Sequence, residues 1–227
     1  ACSGRHPFRA RALPDRFDRQ PILAGDRVEL RPTRPDDWAA HWVIAADPLL
    51  WEVHPAWDRY KEPVFRAYFD ANLASGGSLT AIDRTSGAVI GASRFWDVDP
   101  ATGSAEIGAT YVARAHWGSG ANREMKRLMI GHALAVLPAV TFRIGASNTR
   151  SRRAIEGIGA RLTDRTDVSM MAGVPVEHVI YEIDRDAFAA GPLLLPPSPF
   201  GERATRAPAR RGEGVQCFNP RAKVPSP

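Results

Sequence analysis

The stretch from Leu79 to Val136 leaves this chain few ways to fold. Leu79 to Arg84, Val89 to Val98 and Ala105 to Ala113 read as strands. The turns between them, Thr85-Ser86-Gly87 and Asp99-Pro100-Ala101-Thr102-Gly103, are short enough only for antiparallel pairing. Directly afterwards WGSGANREMKRL (117 to 128) changes the period from 2 to 3.6. Ala121, Met125, Leu128, Met129, His132 and Val136 recur at helical spacing until Pro138. A meander that feeds a helix excludes a doubly wound all-parallel sheet and predicts an α+β domain with a mixed, mostly antiparallel sheet.

The flanks supply the other elements. Arg27 to Arg31 alternates as a first strand. Thr33-Arg34-Pro35-Asp36 has capping-box spacing and predicts a helix over 34–46, stopped by Asp47-Pro48. WEVHPAWDRY (51 to 60) has no helical period and reads as a loop, followed by a helix from Glu62 to Ala74. Val140 to Gly145 is a short strand, and Asn148 to Ile158 a helix that ends at Gly159. Arg161 to Met171 and Val176 to Asp184 form a hairpin around Ala172-Gly173-Val174-Pro175. The expected inventory is about seven strands and about four helices.

The net charge of +5 would suggest a nucleic-acid partner if it were spread over the domain. It is not. Residues 1 to 20 carry five Arg against two Asp, and residues 191 to 227 carry five Arg and one Lys against two Glu. Between them stand 19 basic and 21 acidic residues, so the interior is slightly acidic. Both ends are rich in Pro, Gly and Arg without a sustained period, so we expect disordered tails at 1–20 and 191–227 around one domain at 21–190. This distribution argues against nucleic acid as a partner of the domain. Cys2 and Cys217 lie in the tails and cannot build a disulfide framework or a zinc cluster. No apolar run has the length of a signal or a membrane span. The expectation is a cytoplasmic protein without a metal or a membrane partner, as a monomer or homodimer.

Gly118 and Gly120 stand between a strand and a helix, where successive N–H groups lack partners. Glycine there serves a turn, or it lets the backbone cradle a phosphate at the positive end of the helix. No Gly-Lys-Ser/Thr follows, and the strand before it belongs to a meander, so neither a P-loop nor a dinucleotide fold is indicated.

In GDRVELRPTRPDDW, EIGATYVARAHWGSGANREMKRL and NTRSRRAIEGIGA, residues 25 to 186 resemble the GNAT superfamily of N-acyltransferases, within it the ribosomal-protein-acetyltransferase-like (RimJ/RimL-type) subgroup. The resemblance implies a GNAT-like fold with splayed central strands and acetyl-CoA (coenzyme A) as the acyl donor. It implies a pyrophosphate site at His116, Trp117, Gly118, Ser119, Gly120, Ala121 and Asn122. Backbone groups of Tyr111, Val112 and Ala113 would bond the pantetheine arm. Glu106 would be the base for the attacking amine, Asn148 a ligand of the pantetheine arm, and Ser151 the acid for the thiol. Read from the residues alone, Glu106 is equally a solvent-facing strand residue and Asn148 a helix cap.

Trp51, His54, Trp57, Arg59 and Tyr60 form a candidate acceptor-binding loop, or else cover a core edge. Arg150, Arg152 and Arg153 would meet the adenosine phosphate, or form a solvated helix face, as would Lys126 and Arg127. His178 reads as structural. The sequence departs from the family pattern at Ile155, where tyrosine is common, and in the small Ala109, Ala115, Ala121 and Ala160. The acceptor would be a primary amine of a protein N-terminus or a small molecule, attacked in a ternary complex because no domain cysteine offers an acyl-enzyme. The departures keep a non-catalytic acyl-CoA-binding protein open as the alternative.

Overall fold

Short turns reverse the chain wherever its strand alternation runs out, and the sheet follows from them. The computed structural model describes residues 17–99 and 101–194. Its strands are β1 (Leu23–Ala24), β2 (Val28–Pro32), β3 (Ser78–Asp83), β4 (Val89–Val98), β5 (Ala105–Val112), β6 (Ala139–Gly145), β7 (Arg161–Met171) and β8 (Val174–Asp184). The helices are α1 (Trp38–Ala45), α2 (Pro48–Trp51), α3 (Glu62–Ala74), α4 (Ala121–Leu134), α5 (Thr149–Glu156) and α6 (Arg185–Ala190). One mixed sheet runs β1-β2-β3-β4-β5-β6-β8-β7, and only β5 and β6 are parallel. This is the α+β GNAT-like fold, with eight strands instead of seven because a two-residue β1 has no period to read.

Alternation along the strands divides the core in two. On one face Ile107, Val112, Val140, Phe142 and Ile144 meet Met125, Met129 and Ile130 of α4 and Ile155 of α5. On the other, Ala92 and Tyr111 meet Phe65 and Phe69 of α3, with Trp51. A buried polar chain crosses the second face. Tyr111 Oη lies 2.7 Å from His41 Nδ1, His41 Nε2 lies 3.0 Å from Thr80 Oγ1, and Thr80 donates to Asp37. Burial pushes the His41 imidazole down to about 4, so it stays neutral at ordinary pH.

Several boundaries differ from expectation for identifiable reasons. The cap of the first helical segment is Arg34 rather than Thr33. Asp37, held by Arg31, accepts the Arg34 N–H at 2.8 Å, while Thr33 turns to Ser78. Asp47-Pro48 ends α1 but also starts α2, since Asp47 Oδ1 accepts the Leu49 N–H at 3.0 Å. The 51–60 segment is therefore partly helical, with a 3-10 turn at Trp57–Tyr60. The last hairpin turns on two residues, Ala172 and Gly173, both at positive φ, so Val174 and Pro175 belong to β8. Packing also begins before residue 21: the Phe17 ring meets Phe95 at 5.1 Å, edge on. At the other end Leu193 is buried. Apart from residues 17–20 and 191–194, the two expected tails lie outside the described residues.

α4 is fixed to the sheet edge by one carboxylate. Glu124 accepts the N–H groups of Asp26 (2.7 Å), Arg27 (2.9 Å) and Val28 (2.9 Å), and the Arg27 guanidinium in turn donates to Ser119 O at 2.7 Å. Glu124→Gln turns an amide NH2 toward at least one of these donors. The expected loss is about 1 to 3 kcal/mol in urea unfolding, with lower affinity for any ligand of the loop that Ser119 belongs to.

Candidate active site

The site starts where two strands stop pairing. β5 and β6 are in register only at Ala105↔Val140 and Glu106↔Thr141. Beyond that point β5 runs on to Val112 and β6 to Gly145 without further partners in each other. The expected splay is present. Opposite it, β5 slips register against β4 between Ala92 and Arg94, and Ala109 takes φ +51, a left-handed conformation that costs alanine roughly 1 to 2 kcal/mol. Side chains hold the bulge from both faces. Tyr68 Oη donates to Ala109 O at 3.1 Å. On the other face Thr110 Oγ1 lies 2.8 Å from Ser93 Oγ and accepts from Lys126 Nζ at 2.7 Å.

Lys126 is the residue that sequence reasoning misplaced. It was expected at the adenosine phosphate or on a solvated helix face, yet it is 4% exposed and its ammonium lies 5.5 Å from the Phe142 ring centre. Burial pushes the amine down to about 7. The signal was in the spacing: Met129, Ile130 and Leu134 stand three, four and eight residues on, which puts Lys126 inside the apolar stripe.

Beyond β5, a 3-10 turn at Arg114–His116 leads into the glycine loop, and Trp117 Nε1 donates back to Val112 O at 2.9 Å. Gly118 (φ +75) and Gly120 (φ +87) are left-handed, and a Cβ on either would meet nothing within 4 Å. Open space, not crowding, lies over them. The N–H groups of Gly118, Gly120, Asn122 and Arg123 have no acceptor among the described residues, whereas Ala121 N–H uses Ser119 Oγ. Four free donors at the N-terminus of a 14-residue helix suit a diphosphate. His116 is half-buried beside them.

Two of the expected backbone ligands are already engaged. Ala113 N–H donates to Ile90 O at 2.8 Å, so that donor is not open to a ligand arm, and Val112 O already takes the Trp117 indole with one of its lone pairs. Tyr111 points its side chain into the second core. At the start of α5, Asn148 Oδ1 accepts the Ser151 N–H at 3.2 Å, a helix cap. The Arg150 guanidinium stacks over the Trp117 ring at 4.3 Å and ties α5 to the loop. Arg152, by contrast, turns inward to Tyr181 Oη (3.0 Å) and Ala146 O (3.1 Å), while Arg153 is exposed.

On the opposite face, Glu106 stands at the point of parting. Gly108 leaves room for its carboxyl, because a Cβ there would lie 2.9 Å from Glu106 Oε1 and 3.0 Å from Trp96 Nε1. Arg143 lies 4.0 Å away and is bound to Asp167 at 2.5 Å. Burial raises the Glu106 carboxyl above the ordinary carboxylate range, and Arg143 and Arg94 oppose that shift without cancelling it. Register put Arg143 on this face: it follows Thr141, the partner of Glu106, by two residues.

The 51–60 segment lies over the far end of this row, where Pro55 covers Gly145 so closely that a Cβ there would lie 2.7 Å from it. Trp51 is corrected from acceptor ligand to core: it is 2% exposed, and its indole donates to Ala45 O at 2.8 Å. His54 is pushed down to about 3 by burial and by Arg59, and its Nδ1 accepts the Ala56 N–H at 2.9 Å. Arg59 stacks on Tyr68 at 3.9 Å, behind the bulge that Tyr68 holds. Trp57 is half exposed and Tyr60 partly buried, so these two offer surface.

Residues 27–161 match the acetyltransferase (GNAT) domain family. No curated protein matches the sequence. Among solved structures, a probable GNAT acetyltransferase from Chromobacterium violaceum superposes with TM-score 0.67 at 18% identity, covering 83% of this chain and 98% of that one. A GCN5-related N-acetyltransferase from Brucella melitensis gives TM-score 0.63 at 22% identity over 75% and 81% of the two chains. RimJ of Mycobacterium smegmatis, solved with CoA-disulfide, gives 0.56 at 21% over 70% and 82%. With splayed strands, a glycine cradle and more than half of its length inside the family match, this chain belongs to the GNAT acetyltransferase family.

Proposed function

We propose that the protein is an acetyl-CoA-dependent N-acetyltransferase of the RimJ/RimL-like kind, acting on a primary amine of a protein N-terminus or a small molecule. The observation that carries this is the open cradle at Gly118 and Gly120, directly downstream of a strand that parts from its neighbour at Glu106. The likeness to RimJ solved with CoA-disulfide supports the donor. Bound there, acetyl-CoA supplies an acetyl group activated as a thioester.

The chain's own residues then divide the work. The N–H groups of Gly118, Gly120, Asn122 and Arg123 hold the pyrophosphate, with His116 and Ser119 at its rim. Trp117 and Arg150 form a platform for the adenosine end. Asn148, whose Oδ1 caps α5, has its amide Nδ2 left for the pantetheine arm. Glu106 draws a proton from the incoming ammonium at its carboxylate, on the face away from the cradle. A carboxyl raised above its usual range accepts that proton more readily than an ordinary one. Trp57, Tyr60 and the Arg59–His54 pair shape the acceptor side, and Ser151 stands in the first turn of α5 for the thiol end.

Calorimetric titration with acetyl-CoA tests the reading, with ATP as control. Saturable binding at micromolar affinity, about −8 kcal/mol, followed by thiol release with an amine panel, is the expected result. A folded protein that ignores acetyl-CoA would refute it.

A further inference from the structure

Resting on that donor assignment, we propose that Lys126 is the acid of this active site, handing its proton to the departing sulfur of coenzyme A. Lys126 Nζ lies between the two strands that part: it donates to Thr110 on β5 and faces the Phe142 ring on β6, both beyond the last β5–β6 pair. It reaches the gap from α4, the helix whose first turn forms the cradle. Glu106 reaches it from the other face. A base on one side and an acid on the other is the arrangement that amine acylation needs.

Charge and burial agree with position. A lysine 4% exposed is rare without a carboxylate, and none of the ion pairs among the described residues includes Lys126. Burial is the sole cause of its lowered pKa, so no charged group on β5, β6 or α4 acts on it. Its one hydrogen bond leaves two N–H donors for a ligand. An amine titrating near neutrality gives up a proton far more readily than an ordinary lysine and recovers it from solvent between turnovers. Ser151 has no such reserve. A hydroxyl relays a proton but holds none to spare.

The step balances. Glu106 passes the proton drawn from the ammonium to solvent; the neutral amine then bonds the acetyl carbon, and its nitrogen gives a second proton to the Glu106 carboxylate. The carbon–sulfur bond breaks with its electron pair on sulfur, and that sulfur takes a proton from Lys126.

Two variants, Lys126→Met and Lys126→Arg, test it with a readout that needs no turnover. Thiolate absorbance is followed while the coenzyme A complexes are titrated with base. The wild-type complex is expected to form thiolate at least one pH unit below free coenzyme A, because the neutral buried amine takes the thiol's proton and the ammonium so formed stays beside the thiolate. Lys126→Arg should keep that shift and Lys126→Met lose it. In turnover, kcat should fall about 10²-fold in both, since methionine has no proton and arginine does not release one. The wild-type alkaline limb of kcat should vanish in both. Equal thiol ionisation in wild type and Lys126→Met, with kcat unchanged, overturns the assignment. If wild type and both variants fail to bind coenzyme A, the donor reading itself falls, and this assignment with it.

Discussion

Glu106→Gln should lower kcat/KM about 10²- to 10³-fold at saturating acetyl-CoA while leaving acetyl-CoA affinity unchanged, the range expected when a general base is removed. The glutamine keeps the size of the side chain beside Gly108 and gives up the proton acceptor together with the charge that faces Arg143 at 4.0 Å. The pH profile adds a second reading. Wild-type kcat/KM should fall on the acid side along a limb above the ordinary carboxylate range, because burial raises Glu106. Arg143→Met removes a charge that opposes that shift, so the limb should move further up. Glu106→Gln should have no such limb. Steady-state rates between pH 5 and 9 for the three proteins decide the matter: an unchanged kcat/KM in Glu106→Gln, or a limb that ignores Arg143, removes Glu106 from the mechanism.

Much of this architecture was legible because its signals are local. The antiparallel meander follows from two short turns, and the α4 cradle from two glycines set between a period of 2 and one of 3.6. What escaped was set by contacts distant in sequence. Trp51 reads as loop until α3 and β5 close over it, since a lone indole in an aperiodic segment does not say which side of the chain is covered. Arg143 and Asp167 join Glu106 only through the β5–β6, β6–β8 and β7–β8 registers. Backbone groups of Ala113 were expected on the pantetheine arm, yet its N–H goes to Ile90 O of β4. Lys126 is the most instructive. Residue type placed it on the surface, whereas helical phase placed it in the core, and phase decided.

That choice has a measurable cost. Lys126→Met should be more stable than wild type, by an amount that depends on pH. The unfolded chain holds its lysine proton up to about 10.5, the folded one only to about 7. Below pH 7 both states carry the proton, and folding bears the whole penalty of an ammonium placed among Met125, Met129 and Phe142. Between 7 and 10.5 the unfolded state binds a proton that the folded state does not, so wild-type stability rises with pH through that window. Above it the penalty is gone. The gap between the proteins should therefore be widest near pH 6, on the order of 4 kcal/mol, and narrow steadily toward pH 10. Methionine fits this test because it is unbranched and fills irregular space. It also orphans nothing: Thr110 Oγ1 retains Ser93 Oγ at 2.8 Å. Urea unfolding of both proteins at several pH values measures the gap, and a constant gap, or a variant weaker than wild type, would show that the ammonium is not buried at this cost. A core position that sacrifices stability for a proton is expected where that proton is used, since stability alone would favour an apolar side chain there.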